Sequence, residues 1–248
     1  MPSRIGFITG CGQGIGLSIL KKVFSQNKDD IIIGVSRNEN LEIKELKNKY
    51  KDRFLFERCD ISNIQKLNSF LNKLQKKYVP FNYAVLNAGI RSRSSMEESN
   101  LELYRSVLEI NTIANINMTK HIIQNCLSKD VKCNILFISS IVGARGFNNL
   151  STYATSKSAL EGFMKSIAVE NAKKNIQLNC LAPGFVESSY ADNFKLNKKD
   201  LYEWTLSQIP MGRWGKCEEI AELALFLVSE KNSYMTGSVI YSDGGWTA

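Results

Sequence analysis

The sequence predicts an α/β fold: one doubly wound parallel sheet of seven strands with helices on both faces, forming a single domain over residues 1–248. Three observations predict it. Short β-branched runs alternate with amphipathic stretches along the chain, the pattern of successive βαβ units. Ile31–Ser36 carries no charge, as a strand covered on both faces requires. No low-complexity linker or internal repeat divides the chain, and right-handed crossovers wind such a chain into one sheet.

In chain order, Ile5–Thr9 reads as the first strand. Gly14 to Asn27 reads as a helix, because Ile15, Ile19, Leu20 and Val23 share a face. Ile31–Ser36 is a strand, Leu41–Tyr50 a helix and Phe54–Cys59 a strand. Asn63–Tyr78 is a helix with Ile64, Leu67, Leu71 and Leu74 at helical spacing, stopped by Pro80. Tyr83–Leu86 is the fourth strand, followed by one long helix from Leu101 to Leu127. Asn134–Ser139 is a strand, Ser151 to Lys173 another long helix and Ile176–Ala182 a strand. Asp200–Ser207 is a short helix within a long excursion, Glu218–Ser229 a helix and Ser238–Tyr241 the last strand.

Composition narrows the function classes. With 44% hydrophobic and 23% charged residues, the chain is an ordinary globular one, long enough to bury a core without staples. The six cysteines include no C-x-x-C pair, and one histidine excludes zinc-finger spacing, so no metal is expected. Most of the cysteines lie in apolar runs, which points to free thiols in a reducing compartment. The first strand begins at Arg4-Ile5 with no signal segment before it, and no apolar run approaches membrane-spanning length. A cytoplasmic protein without membrane contact is expected. The net charge of +8 comes from scattered lysines, along Lys44–Lys51, Lys73–Lys77 and Lys195–Lys199, and reads as a solvated surface. No aromatic-basic interleaving suggests a nucleic-acid groove. Attraction for phosphorylated or acidic ligands stays open.

Thr9-Gly10-Cys11-Gly12-Gln13-Gly14-Ile15-Gly16 joins the first strand to the first helix. Glycine lets a backbone turn tightly and approach a pyrophosphate, and the helix N-terminus offers it unpaired N–H groups. A merely tight connection is the alternative. Past the second strand, where a carboxylate would bind the ribose of NAD, stand Ser36-Arg37-Asn38. Arg37 can pair with a 2′-phosphate, which favours NADP(H) over NAD(H), unless it is only a solvated loop residue. Asp60, followed by Ile61, is placed either to meet the adenine or to cap the next helix.

Tyr153-Ala154-Thr155-Ser156-Lys157 sets a phenol and an ammonium four residues apart, on one face of a helix and roughly 6 Å apart at Cβ. A cation beside a tyrosine favours the phenolate, which would let Tyr153 exchange a proton with a carbonyl or hydroxyl. Alone, the pair is as well explained by packing plus a surface charge. Its context adds weight. Ser140 follows the fifth strand, thirteen residues before Tyr153, at the edge where doubly wound sheets bind ligands. Asn87-Ala88-Gly89 ends the fourth strand at that edge, with small residues beside the cofactor path. Asn111, a mediocre helix former inside a helix, is either an ordinary exposed position or a kink holding a water for a proton relay.

Together, Thr9–Gly16, Asp60, Asn87-Ala88-Gly89, Asn111, Ser140, Tyr153-x-x-x-Lys157 and Pro183-Gly184-Phe185-Val186-Glu187-Ser188 resemble the short-chain dehydrogenase/reductase family over nearly the whole chain. The resemblance implies a Rossmann-like fold and a catalytic tetrad of Asn111, Ser140, Tyr153 and Lys157. It implies that Lys157 also holds the nicotinamide ribose, and that Val186 and Ser188, after the Pro183-Gly184 turn, contact the carboxamide. The segment from about 185 to 207 corresponds to the family's substrate lid. A homotetramer is implied, with the helices of Leu101–Leu127 and Ser151–Lys173 at one interface and the C-terminal segment at another. The chain departs from the pattern at Leu86, where an asparagine is usual, and at Ser188, where a threonine is usual. Gln13 stands where many NADP-preferring members are basic.

The stretches Pro210-Met211-Gly212-Arg213-Trp214-Gly215, Glu218-Glu219-Ile220-Ala221, Tyr234-Met235-Thr236-Gly237 and Asp243-Gly244-Gly245 are similar to the 3-oxoacyl-acyl-carrier-protein reductase branch. That implies an NADP(H)-dependent reductase taking a thioester or small-molecule ketone to a secondary alcohol, or the reverse, with acyl carrier protein as partner. Sugar, polyol and other small-alcohol dehydrogenases share these features, and a non-catalytic dinucleotide-binding scaffold or sensor is the alternative of another class. Lys174 matches a basic docking position of the reductases, with a second near Val131-Lys132, yet it is equally an ordinary helix-end lysine. Arg91 and Arg93 could bind a carboxylate or phosphate, or belong to a solvated loop. Tyr190, Phe194, Tyr202 and Trp204 are expected to line an apolar pocket or an oligomer contact.

Overall fold

A computed structural model describes residues 4–78, 80–188 and 194–248. The strands are β1 (Ile5–Thr9), β2 (Ile31–Ser36), β3 (Phe54–Arg58), β4 (Tyr83–Leu86), β5 (Cys133–Ile138), β6 (Ile176–Pro183), β7 (Val186–Glu187), β8 (Gly215–Lys216) and β9 (Val239–Ser242). The helices are α1 (Gly14–Gln26), α2 (Leu41–Tyr50), α3 (Ile64–Lys77), α4 (Leu101–Leu108), α5 (Ala114–Lys129), α6 (Ser151–Asn171), α7 (Lys199–Gln208) and α8 (Cys217–Val228). Seven strands form one parallel sheet in the order β3-β2-β1-β4-β5-β6-β9. The two-residue strands β7 and β8 pair separately, a contact too short for periodicity to signal.

Successive side chains of a strand point to opposite faces, and here both faces are covered. Phe7, Ile33, Ile135 and Phe137 pack with Leu67, Met118 and Met164 on one side. Ile8, Ile32, Leu136 and Ile138 pack with Leu20, Ile220 and Leu225 on the other. This is why β4, β5 and β6 are buried along their whole length. Strand order reverses between β1 and β4, and that reversal opens a crevice at the carboxyl ends of the strands. A third cluster, Ile141, Phe194, Ile209, Trp214 and Trp246, lies apart from the other two.

Element ends agree with expectation to within two residues, with one exception. The helix expected from Leu101 to Leu127 is two helices joined by a π turn at Glu109–Ile113. Such wider turns cluster at functional sites. Here the turn brings Asn111 and Thr112 inward, where Asn111 Nδ2 donates to Ser156 Oγ at 3.0 Å and Thr112 Oγ1 to the Ser156 carbonyl at 3.0 Å. Among the described residues no helix is long and apolar enough to cross a membrane.

The loop carrying Trp214 is held by a fork. Arg213 donates through both terminal nitrogens to Glu219, at 2.8 and 2.6 Å, while the Lys216 amide donates to the same carboxylate at 2.7 Å. Arg213 and then that amide pull the Glu219 carboxyl down to about 2. A depressed carboxylate contributes stability above its unfolded value and loses it as pH falls through the folded one. Glu219→Gln should therefore melt below wild type near neutral pH, and the gap should close as pH drops from about 4.5 toward about 2. Thermal melts across that window check this.

Candidate active site

The turn after β1 is built on close contacts. Gly10 adopts φ +65°, and a Cβ on it would lie 2.7 Å from Asn87 Nδ2 and 2.9 Å from the Ala88 Cα. Asn87 braces the turn, its Nδ2 donating to the Thr9 carbonyl at 3.2 Å and to the Gly10 carbonyl at 3.1 Å. The Thr9 hydroxyl accepts from the Asn87 and Ala88 amides. Asn87 is thus a structural staple of the turn as well as a residue of the cleft lining, a bracing role that its sequence context does not signal. Gly16 is buried and lies outside the cleft lining. A Cβ there would sit 2.2 Å from the Gly10 carbonyl oxygen, so this glycine lets α1 pack against the turn.

The crevice is a cavity of about 570 Å³. Gly10, Gln13, Gly14 and Ile15 line it at the start of α1, and Ser36 and Arg37 at the end of β2. Asp60 and Ile61 line it after β3, Asn87, Ala88 and Gly89 after β4, and Val186 and Ser188 after β6. A second cavity of about 270 Å³ shares Ile15, Asn87, Gly89, Val186 and Ser188 with the first. Ser140, Tyr153, Lys157, Pro183 and Gly184 also line it. The two cavities therefore adjoin. Of the catalytic and cofactor-binding residues expected from the sequence, Gly16 and Asn111 alone line neither.

The crevice fits a dinucleotide. Asn40, Asn63 and Asn100 cap α2, α3 and α4 through their side chains, whereas α1 has no side-chain cap and no acidic residue in its first turn. Its leading N–H groups are left for an anion such as a pyrophosphate. Arg37 is exposed at the cleft. Asp60 does not cap α3, because Asn63 does. Its Oδ1 accepts from the Ser62 amide at 3.0 Å, and its carboxyl is held below the usual range by Ser62, with Arg37 adding a smaller attraction.

Asn111 is wholly buried, not an exposed position. Its Oδ1 accepts from the Ile90 amide at 2.8 Å and its Nδ2 donates to the Ile90 carbonyl at 2.8 Å, tying the loop after β4 to α6 through Ser156. Lys157 is 4% exposed, with Nζ donating to the Ile138 carbonyl at 2.7 Å and standing 5.6 Å from the centre of the Tyr153 ring. Ser140 is half-buried at the end of β5, its hydroxyl facing the Val142 amide at 3.5 Å. The phenol, the serine hydroxyl and the ammonium thus share one cavity, the arrangement that proton exchange with a carbonyl needs.

Aromatic rings wall this cavity. Phe147, Phe185 and Trp214 line it, with Phe185 5.1 Å from Trp214 and 5.2 Å from Trp246 between ring centres. Phe194 and Tyr202 pack on Trp214, at 5.5 and 5.0 Å. Trp204 stays half-exposed against Trp246, and Tyr190 lies outside the described residues. Nothing in the local pattern marks Phe147 or Trp246, which reach the cluster only through the tertiary fold. Arg91 is exposed at the smaller cavity, Arg93 is exposed, and Lys174 is exposed with Nζ donating to Asn171 Oδ1 at 3.3 Å.

A family profile described as enoyl-(acyl carrier protein) reductase matches residues 10–247. The chain belongs to the short-chain dehydrogenase/reductase family. This dehydrogenase/reductase is 34% identical to a 3-oxoacyl-(acyl-carrier-protein) reductase of Rickettsia felis, over 99% of its own length and 97% of the relative's. It is 33% identical to the enzyme of the same name from Chlamydia muridarum, over 99% and 98%. The crystal structure of an NADPH-dependent reductase of bacilysin biosynthesis matches it with a TM-score of 0.89 at 26% identity, covering 98% of both chains. It is an oxidoreductase using a pyridine nucleotide.

Gly16→Ala should weaken dinucleotide binding at least about tenfold while the protein stays folded, because the added methyl meets the Gly10 carbonyl of the turn itself, and beyond it the Asn87 amide that braces the turn. Fluorescence titration with reduced dinucleotide, beside a circular-dichroism melt, checks this.

Proposed function

We propose that the chain is an NADP(H)-dependent 3-oxoacyl-(acyl-carrier-protein) reductase, taking the 3-ketone of an acyl thioester to a secondary alcohol. One observation carries this: Ser140, Tyr153 and Lys157 line a cavity that adjoins the dinucleotide crevice, in a chain that matches such reductases from end to end. The apolar wall of that cavity, with Ile90, Ile141, Phe147 and Trp214, suits an acyl chain better than a polyhydroxylated sugar.

Reduced nicotinamide, when bound, supplies the hydride that reaches the carbonyl carbon. Tyr153 gives its phenolic proton to the carbonyl oxygen, and the Ser140 hydroxyl donates a hydrogen bond to that same oxygen as negative charge develops. The ammonium of Lys157 stabilises the charge left on the phenol oxygen and holds the nicotinamide ribose. Asn111 fixes the loop after β4 against the helix that carries Tyr153. Gly10, Gln13, Gly14 and Ile15 bind the pyrophosphate, Arg37 the 2′-phosphate, with Ser36 beside it, and Asp60 and Ile61 the adenine. Ala88 and Gly89 border the nucleoside, while Val186 and Ser188, after Pro183 and Gly184, hold the carboxamide. The segment from about 185 to 207 acts as lid, and Lys174 with Lys132 offers cations to the acidic carrier protein. The protein works as a homotetramer in the cytoplasm, a setting that suits six buried free thiols.

Tyr153→Phe should lower kcat by about 100-fold or more with NADPH affinity little changed. Steady-state assays with an acetoacetyl thioester and a panel of keto-sugars check both residue and substrate, since faster turnover of a keto-sugar would reassign the substrate. Arg37→Ala should raise the Kd for NADPH about tenfold and leave that for NADH unchanged, read by parallel titrations. Equal effects on both would contradict the 2′-phosphate contact.

A further inference from the structure

Glu161 is a buried carboxyl that the chemistry above does not use. It stands on α6 one turn past Lys157 and is 6% exposed. Its Oε1 accepts a hydrogen bond from Ser139 Oγ at 2.5 Å, and Ser139 is 3% exposed. Ser139 immediately precedes Ser140. A Cβ on Gly143 would lie 2.5 Å from the same Oε1, so the carboxyl occupies the space beside the Ile141–Gly143 turn that glycine leaves free.

Two further bonds join the same two elements. Lys157 Nζ donates to the Ile138 carbonyl at 2.7 Å, and Ser158 Oγ donates to the Gly143 carbonyl at 2.7 Å. Three bonds from one helix thus grip residues 138, 139 and 143, and Ser140 lies between them. The Ser139 bond is the one in which the helix accepts rather than donates. It is also the only one of the three made to a side chain of the gripped segment.

We propose that Glu161 is a positioning residue: by accepting the Ser139 hydroxyl it sets the Ser140 hydroxyl in register with Tyr153, which projects from the same helix. Serine at 139 supplies the donor, glycine at 143 the room and glutamate at 161 the reach. Burial pushes the Glu161 carboxyl up, while Ser139, Lys165 and Lys157 pull it down. An sp² oxygen accepts the serine hydroxyl whether or not the carboxyl is charged, so the acceptor carries the effect and not the charge.

The inference rests on the reductase reading for its kinetic arm, so the experiment has a second arm that needs no turnover. Glu161→Leu, Glu161→Gln and Ser139→Ala are compared with wild type. In hydrogen-exchange mass spectrometry, Glu161→Leu and Ser139→Ala speed exchange across residues 139–144, leave residues 31–36 unchanged, and Glu161→Gln behaves as wild type. In kinetics, Glu161→Leu and Ser139→Ala lower kcat at least about tenfold, the scale of a small misplacement of a reacting group. The KM for NADPH stays within about twofold, and Glu161→Gln restores most of the rate. Should Glu161→Leu fail to fold, Gly143→Ala, which pushes the carboxyl off Ser139, takes its place with the same expected loss. Unchanged exchange in residues 139–144 overturns the proposal, as does a loss that falls on KM for NADPH, or a Glu161→Gln variant as slow as Glu161→Leu. A wild type that turns over no ketone, with the exchange pattern as expected, sinks the reductase reading and leaves the positioning contact standing.

Discussion

The site depends on one buried contact, the Lys157 ammonium against the Ile138 carbonyl. An ammonium withdrawn from water is costly unless it is well partnered. Here it lies 4% exposed at 2.7 Å from a strand-end carbonyl, near the Tyr153 ring and the carboxyl of Glu161. The contact joins the middle of the sheet to the helix that carries the phenol. It places a cation in the smaller cavity while keeping most of its surface covered. Helix α6 cannot slide along β5 without breaking it, so the geometry of Tyr153 relative to Ser140 is inherited from the sheet.

Asparagine side chains provide the remaining cross-links, because each carries a donor and an acceptor on a short stem. Asn87 donates to the carbonyls of Thr9 and Gly10, and Asn40 donates to the Gly12 carbonyl at 2.7 Å, so two elements clamp the glycine turn after β1. Asn111 joins the loop after β4 to α6, and Asn115 Nδ2 donates to the Asn111 carbonyl at 2.8 Å. The crevice comes from strand order, and its rigidity comes from these amides. The π turn is what brings Asn111 to Ile90, since a regular helix would present a different face at that point.

Strands were legible in the sequence because a sheet buried on both faces writes uninterrupted apolar runs between turn signals, and all seven of the sheet read off within a residue at each end. The glycine turn, Tyr153, Lys157 and Ser140 were singled out through their order and spacing in the family pattern, and the fold brings them to two adjoining cavities. The π turn was not, because one extra residue per turn barely disturbs a helical period, and only the low propensity of Asn111 hinted at it. Asp60 was legible as a cleft residue or a helix cap, and Asn63, which nothing in the sequence reading marked as a cap, takes the cap of α3 instead. The brace at Asn87, the carboxyl of Glu161 and the aromatic wall at Phe147 and Trp246 bring together residues far apart in sequence, so no local pattern announces them.

The central claim is that phenol, serine hydroxyl and ammonium converge on the nicotinamide end of the crevice. A crystal structure with bound dinucleotide tests it most directly. Convergence places Lys157 Nζ within about 3 Å of the nicotinamide ribose hydroxyls, with the Tyr153 and Ser140 hydroxyls directed at a common point beside the ring. A nicotinamide seated outside the cavity that Ser140 lines, or a Tyr153 hydroxyl turned away from it, would contradict the account.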